Sequence, residues 1–300
     1  MSTPRAIERL RDAFPERCTP DAPLTALSTW RIGGPAALLF TPESEAELAA
    51  GLALLRAEDA AWWLVGGGSN LLFPDEGLAG VVLHPGPGLA WLEVDAPLLR
   101  AGAATSAVVL CRRAAQAGLA GLEFAGGIPG TVGGMVRMNA GAHGQELAQS
   151  LVRVRLLDPD GAIGWVDAAE LRLEYRSSPG LGARLVLAAE FRLRADDPEA
   201  IKLRLRELLE RRRATQPLQE ASCGSVFKRP AGDFPGRLIE AAGLKGARVG
   251  AAVVSQIHAN FFVNEGGASA ADIVALVELV KRTVRERFGV ELEEEFQHVR

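Results

Sequence analysis

Residues 121–144 read GLEFAGGIPGTVGGMVRMNAGAHG, with glycines at 121, 126, 127, 130, 133, 134, 141 and 144. Ordinary helices and strands exclude that density, because each glycine inside an element costs roughly 0.5–1 kcal/mol relative to alanine. Such a stretch is backbone that turns tightly or lies close against something else. A shorter stretch, GGGSNLL at 66–72, has the same character. Successive N–H groups in glycine-rich turns make concavities that hold an anion without a side-chain charge, and a diphosphate suits them. Residues 66–68 alone read equally as a plain tight turn. The longer loop has too many glycines for turns alone, and Asn139 adds a side-chain donor and acceptor.

Neither loop is a familiar nucleotide motif. A dinucleotide fingerprint starting at Gly66 and Gly68 needs glycine at 71, where Leu71 stands, and no Gly-Lys-Ser/Thr sequence is present for a phosphate-binding P-loop.

The chain as a whole, 300 residues, is of ordinary globular composition, 48% hydrophobic and 23% charged, enough for two or three compact units. A net charge of -4 and the lack of an unopposed basic segment argue against nucleic acid as a partner. Arg204, Arg206, Arg211, Arg212 and Arg213 are interleaved with Glu207 and Glu210, which reads as a solvated helix face. Cys18, Cys111 and Cys223 are far apart and in no CxxC pattern, so neither a disulfide framework nor a zinc site is expected. No apolar run has signal-peptide or membrane-spanning length, so membrane insertion is not expected and the cytoplasm is the expected compartment.

Along the chain, a leading helix over residues 6–14 precedes a strand entered from TALSTWRIGGPAALLF. Ser44 and Glu47 form a capping-box pattern ahead of a helix over 44–56, and WWLVGG follows as a buried strand. Strands are expected over 80–83, 91–94 and 98–101, then a helix capped by Thr105 and stopped by Gly118. Alternation at Val152, Val154 and Leu156, a turn at 158–161 and a return over 163–166 predict an antiparallel pair, with LVLAAEFRLR closing the region. A boundary falls at 195–198, there or just after the following helix. The last helix is capped by Ser269 and carries a buried stripe of Ile273, Val277, Val280 and Val284. The class is mixed α/β, of α+β type, with units over 1–84, 85–196 and 197–300.

The ordered set TWRIGGPA, GGGSNLL, GLEFAGGIPGTVGG, MNAGAHG, YRSS, CGSVFKRP, AAGLKG, SQIHANFFVN and FGVELEEEF resembles the UDP-N-acetylenolpyruvoylglucosamine reductases over nearly the whole chain. The resemblance implies a two-part FAD-binding domain of the vanillyl-alcohol-oxidase/PCMH type, over 1–84 and 85–196. A smaller α+β substrate-binding domain would follow. It implies non-covalent FAD held by Gly66, Gly68, Ser69, Asn70, Leu71, Gly130, Thr131, Gly134, Asn139 and Gly141. NADPH is the implied hydride donor and UDP-N-acetylglucosamine enolpyruvate the implied substrate, with UDP-N-acetylmuramate, a peptidoglycan precursor, as product.

In that family a hydride reaches the methylene carbon of an enolpyruvyl ether and leaves an enolate that must be protonated on the neighbouring carbon. Such a site needs electrophilic groups at the carboxylate and one positioned acid. Arg176 matches the family's catalytic arginine, and a planar guanidinium suits a carboxylate becoming an enediolate. By residue type alone it reads as a surface ion pair. Ser225 matches the proton donor, a role that makes sense for a hydroxyl only beside cationic groups, with Lys228 three positions on. Without the family it reads as a turn residue. Glu295 matches the family's glutamate, as the last of the run Leu-Glu-Glu-Glu, and works best protonated in a dry pocket. Without the family the run reads as a solvated acidic tail.

Tyr175 matches a substrate-side tyrosine, with a buried core tyrosine as the alternative, and Lys228, His258 and Asn260 are further substrate-binding candidates. Arg229 stands where the family commonly has asparagine, so it either grips a diphosphate by charge or points away. Tyr175 is the sole tyrosine, so the resemblance is to the shorter form without a tyrosine-bearing lid loop. A monomer is expected. Two rival readings remain, another FAD oxidoreductase of the same fold and a non-catalytic nucleotide-sugar binding module. The choice between NADPH and NADH does not follow from the residues.

Overall fold

The computed structural model describes residues 2–300. Its contacts divide into two units, the first made of residues up to 19, 38–67 and 80–211, the second of 20–37, 68–79 and 212–300.

In the first unit, α1 (Ser2–Ala13) and α2 (Glu45–Ala57) share a core through Ala6, Leu10, Leu48, Leu52 and Leu55. Ser44 caps α2 as expected, its Oγ accepting from Glu47 N at 3.1 Å. Glu47 does not close the capping box; its carboxylate accepts from Glu43 N at 2.7 Å and faces Arg17 instead. The four-stranded sheet runs Cys18–Pro23, Pro35–Phe40, Leu78–Leu83, Trp62–Leu64 in spatial order, the last two strands parallel. The strand expected from residue 25 onward begins only at Pro35, because Leu24–Leu27 is a 3-10 turn. Trp62–Leu64 is half-buried, not the fully buried strand that its apolar run suggests.

A five-stranded antiparallel sheet carries the rest of this unit, in the order Ile163–Asp167, Leu151–Leu157, Leu185–Arg192, Leu98–Gly102, Leu92–Asp95. Leu157, Leu185 and Leu187 join the core of α1 and α2, whereas Val154, Leu156, Ala189 and Phe191 join that of α3 (Ala107–Gln116) and α4 (Val132–Arg137). The expected cap of α3 is one residue off. Ser106 Oγ accepts from Val109 N at 3.2 Å, while Thr105 donates its hydroxyl to Trp91 O. The residue that caps is the one whose extended backbone turns its oxygen into the first turn.

Inside the sheet Glu190, 3% exposed, is held by Arg100 at 2.5 Å and Arg153 at 2.8 Å. Burial pushes its carboxyl up, but the hydrogen bonds from the two arginines outweigh that and leave it below its ordinary value.

Helix α5 (Pro198–Thr215) contributes its residues up to 211 to the first unit. It is not the uniformly solvated face that its charge alternation predicts. Arg204 is paired with Glu123 at 2.9 Å and Asp196 at 2.7 Å, and Arg212 has a buried Nε.

The second unit packs α6 (Pro235–Ala241) and α7 (Ala270–Phe288) with the antiparallel strands Arg248–Val249, Ala252–Val254 and Phe262–Asn264. α7 carries a complete capping box between Ser269 and Asp272, ends at Gly289 with φ +68°, and buries Ile273, Val277, Val280 and Val284 as the spacing predicts. Trp30 is fully buried in this core and donates its Nε1–H to Phe262 O at 2.8 Å. All three cysteines are free. Among the described residues no helix is long and apolar enough to cross a membrane, and no cluster of side chains fits a metal ion.

Candidate active site

The two glycine loops meet inside the first unit. A Cβ on Gly67 would lie 2.6 Å from Gly130 Cα, and one on Gly66 would lie 2.7 Å from Thr131 Oγ1. Side chains at 66 or 67 would therefore drive the loops apart. Thr131 is the N-cap of α4, and the N–H groups of Val132 and Gly133 are spent on Thr105 O and Ala103 O. Not every glycine of the long loop serves this cradle, since a Cβ on Gly126 would strike Leu205 of α5 at 2.2 Å. That glycine is a helix-packing residue.

Tyr175 and Arg176 form the tip of a two-residue turn, closed by Glu174 and Ser177 exchanging both backbone hydrogen bonds. Arg176 has φ +56°, uncommon for a residue with a side chain, and it donates to Gly141 O at 3.0 Å. Its guanidinium lies 5.0 Å from the Tyr175 ring centre. Tyr175 is 48% exposed, so it is not a core tyrosine. Asn139, 1% exposed and with φ +37°, braces this turn from below. Its Nδ2 donates to Glu146 at 2.6 Å and Glu174 O at 3.0 Å, while its Oδ1 accepts from Ala148 N at 3.0 Å.

In the second unit residues 225–228 lie in a short backbone ladder. Ser225 is bridged to Phe261 on one edge, and on the other edge Glu295 N donates to Val226 O at 2.8 Å while Lys228 N donates to Glu293 O. Ser225 and Glu295 are thus carried on directly bonded segments. Asn260, 4% exposed, locks the ladder by donating Nδ2 to Phe227 O at 2.9 Å and accepting from Phe227 N at 3.0 Å.

The remaining candidates lie around this ladder. Asn70 reaches it too, donating Nδ2 to Glu295 O at 3.0 Å and accepting from Gln297 N through its carbonyl, and Leu71 pairs with Gln297. Lys228 is engaged by Glu293, and Arg229 lies 4.3 Å over the Phe234 ring. His258 Nδ1 accepts from Asn260 N at 3.2 Å, so Nε2 carries the proton of the neutral ring; burial lowers its pKa and favours that form. Cys223 is pushed well up, first by burial and then by the negative charge of Glu295.

Gly68 shows why the shorter loop needs glycine. Its φ is +58°, and a Cβ there would lie 1.6 Å from Leu27 O. Next to that approach, Thr29 N donates to Gly68 O, and the buried hydroxyls of Ser28 and Thr29 have no protein partner. Spacing arguments passed over both hydroxyls; their signal was the pair of polar side chains in LSTW beside the glycine turn. Orphaned buried hydroxyls beside a glycine turn fit an oxygen-rich cofactor such as a flavin dinucleotide.

Comparison with known proteins agrees with this chemistry. A family model described as FAD binding domain matches residues 36–167, and one described as UDP-N-acetylenolpyruvoylglucosamine reductase, C-terminal domain, matches 216–299. The enzyme of that name from Rubrobacter xylanophilus is 46% identical over 284 residues, 93% of this chain and 94% of the relative. The crystal structure of UDP-N-acetylenolpyruvylglucosamine reductase from Thermus caldophilus superimposes with a TM-score of 0.81 at 37% identity, covering 94% of this chain and 98% of that one. A glucose dehydrogenase, Phl p 4.0202, shares the fold of 65% of this chain at a TM-score of 0.51 and 15% identity, over 44% of its own length.

Proposed function

Because the chain belongs to the UDP-N-acetylenolpyruvoylglucosamine reductase family, we propose that it reduces the enolpyruvyl ether of UDP-N-acetylglucosamine enolpyruvate to UDP-N-acetylmuramate. NADPH is the electron source, and the reaction serves peptidoglycan precursor synthesis in the cytoplasm, with the protein acting as a monomer. FAD, when bound, would supply the two-electron hydride chemistry between NADPH and the methylene carbon.

The residues of the chain do the rest. Gly66, Gly68, Ser69, Asn70, Leu71, Gly130, Thr131, Gly134 and Gly141 would hold the cofactor. Asn139 serves them as a brace. Arg176 grips the substrate carboxylate and takes up the charge that spreads into it as the hydride arrives, a bidentate task for a planar guanidinium. Ser225 Oγ gives its proton to the carbon bearing the ether oxygen and is reprotonated from water. Glu295, in protonated form, adds a hydrogen bond to the same developing charge. Tyr175, Lys228, Arg229 and His258 contact the nucleotide sugar, and Asn260 keeps Ser225 in register.

The observation that carries this reading is the ladder. Ser225 is fixed by its bridge to Phe261, and the Glu295 N–H is bonded to the next residue, Val226. That leaves a hydroxyl and a carboxyl on adjacent, immobilised backbone, as a protonation step requires. The test is Ser225→Ala. NADPH should bleach the flavin at a near-normal rate, while reoxidation by the enolpyruvyl substrate should slow roughly 10²- to 10⁴-fold, the usual cost of a lost general acid. Unchanged reoxidation removes Ser225 from the mechanism.

A further inference from the structure

Arg212 lies in the last turn of α5, and its Nε is buried without a hydrogen-bond partner. Oε1 of Gln216, which follows one turn later with its N–H bonded to Arg212 O at 2.9 Å, is buried and unpartnered as well. Burial is the one influence on the Arg212 guanidinium, lowering its pKa, and no carboxylate acts on it. The contrast with Arg204 two turns earlier is sharp, because that side chain has both Glu123 and Asp196. A guanidinium does not give up its proton inside a protein, so Arg212 is a fixed, half-buried charge whose Nε is fully buried and which has no counter-charge among the described residues. A charge so placed is destabilising unless something negative meets it.

The two orphaned groups ask for different things. The Nε–H and a terminal N–H of arginine form a fork matched to two oxygens of a phosphoryl group, whereas a carboxamide oxygen asks for a donor such as a sugar hydroxyl. Four residues apart, the two side chains share one side of the helical turn. We propose that Arg212 and Gln216 form a subsite for the sugar-phosphate part of a nucleotide, Arg212 on a phosphoryl group and Gln216 on a neighbouring hydroxyl. This rests on the reductase reading, which brings three such ligands to the protein: FAD, NADPH and the UDP-sugar.

The test uses Arg212→Met, Arg212→Lys and Gln216→Leu in the full chain. For each, the FAD affinity of the apoprotein is titrated, the NADPH dependence of flavin reduction is measured, and so is the UDP-sugar dependence of flavin reoxidation. The methionine variant should weaken one of the three ligands about ten- to hundredfold, the range for a lost charge-assisted hydrogen bond, and leave the other two within about twofold. Gln216→Leu should weaken that same ligand by a smaller factor, and Arg212→Lys should fall between wild type and Arg212→Met. The melting temperature of the apo methionine variant should equal or exceed that of wild-type apoprotein, since a half-buried charge with an unpartnered Nε has been removed.

The ligand affected identifies the source of the phosphoryl group. If all three affinities stay within about twofold, or the apo variant melts lower with all three weakened together, the subsite is wrong. Wild-type protein that binds no flavin contradicts the reductase reading instead, so the two failures are told apart.

Discussion

Arg176 rides on the tip of a two-residue turn, whereas Ser225 lies inside a ladder bonded on both edges. Each place is steadied by a buried asparagine, but in different ways. Asn139 gathers a carboxylate, a carbonyl and a backbone N–H from three separate segments beneath the turn. Asn260 imitates a strand neighbour, satisfying both the N–H and the C=O of one residue, Phe227. The difference suits the two tasks proposed for them. A guanidinium that must follow a carboxylate as it becomes an enediolate needs a fixed base and some freedom at its end, while a hydroxyl that delivers one proton to one carbon needs a fixed position.

Arg176→Lys is the sharpest way to probe the tip, because it keeps the charge and removes the fork. The account expects kcat/KM to fall about 10²-fold or more, with flavin content unchanged; a variant with wild-type kinetics would reduce the tip to a surface feature. Next in size is Asn260→Ala, which leaves two buried backbone groups of Phe227 unpaired and should cost about 3 kcal/mol in chemical denaturation. That variant should also slow reoxidation of the flavin more than its reduction. Asn139→Ala should disturb the Arg176 step while leaving the reductive half-reaction with NADPH close to normal. If the two asparagine variants give the same kinetic profile, the distinction between tip and ladder fails.

The smallest effect expected is that of Glu190→Gln, about 2 kcal/mol at neutral pH. Glu190 has a folded pKa held below its ordinary value of 4.5. Its contribution is therefore fully present above that value and is lost as pH falls through the lower folded value. Wild type should lose more stability than the variant as pH falls below about 4.5. Parallel acid limbs for the two proteins would mean that the buried pair in the five-stranded sheet contributes nothing to this unit.

What could be read in the residues was what local chemistry decides. The capped ends of α2 and α7, the stripe of Ile273, Val277, Val280 and Val284, and the antiparallel pair around the 158–161 turn all follow from spacing and cap type. The family was legible through motif resemblance and not from periodicity, and the proposed roles of the glycine loops and of Arg176, Ser225 and Glu295 rest on that resemblance. What could not be read depended on distant partners. Thr105 and Ser106 are adjacent hydroxyl residues, and only Trp91 O, 14 positions back, decides which one caps α3. Asn139 and Asn260 look like ligand residues in sequence, but their bonds go to groups 7–35 and 33 positions away. Arg204 and Arg212 belong to one charge pattern, and only the carboxylates of Glu123 and Asp196, which the fold brings to Arg204, separate the paired one from the unpaired one.

Sequential-mixing stopped-flow on wild-type protein, following flavin absorbance, tests the reductase reading most directly. NADPH added first should bleach the bound flavin, and UDP-N-acetylglucosamine enolpyruvate added second, without oxygen, should restore its colour with formation of one UDP-N-acetylmuramate per flavin. A flavin that NADPH bleaches and only oxygen restores, or a protein that takes up no flavin at all, would contradict the account.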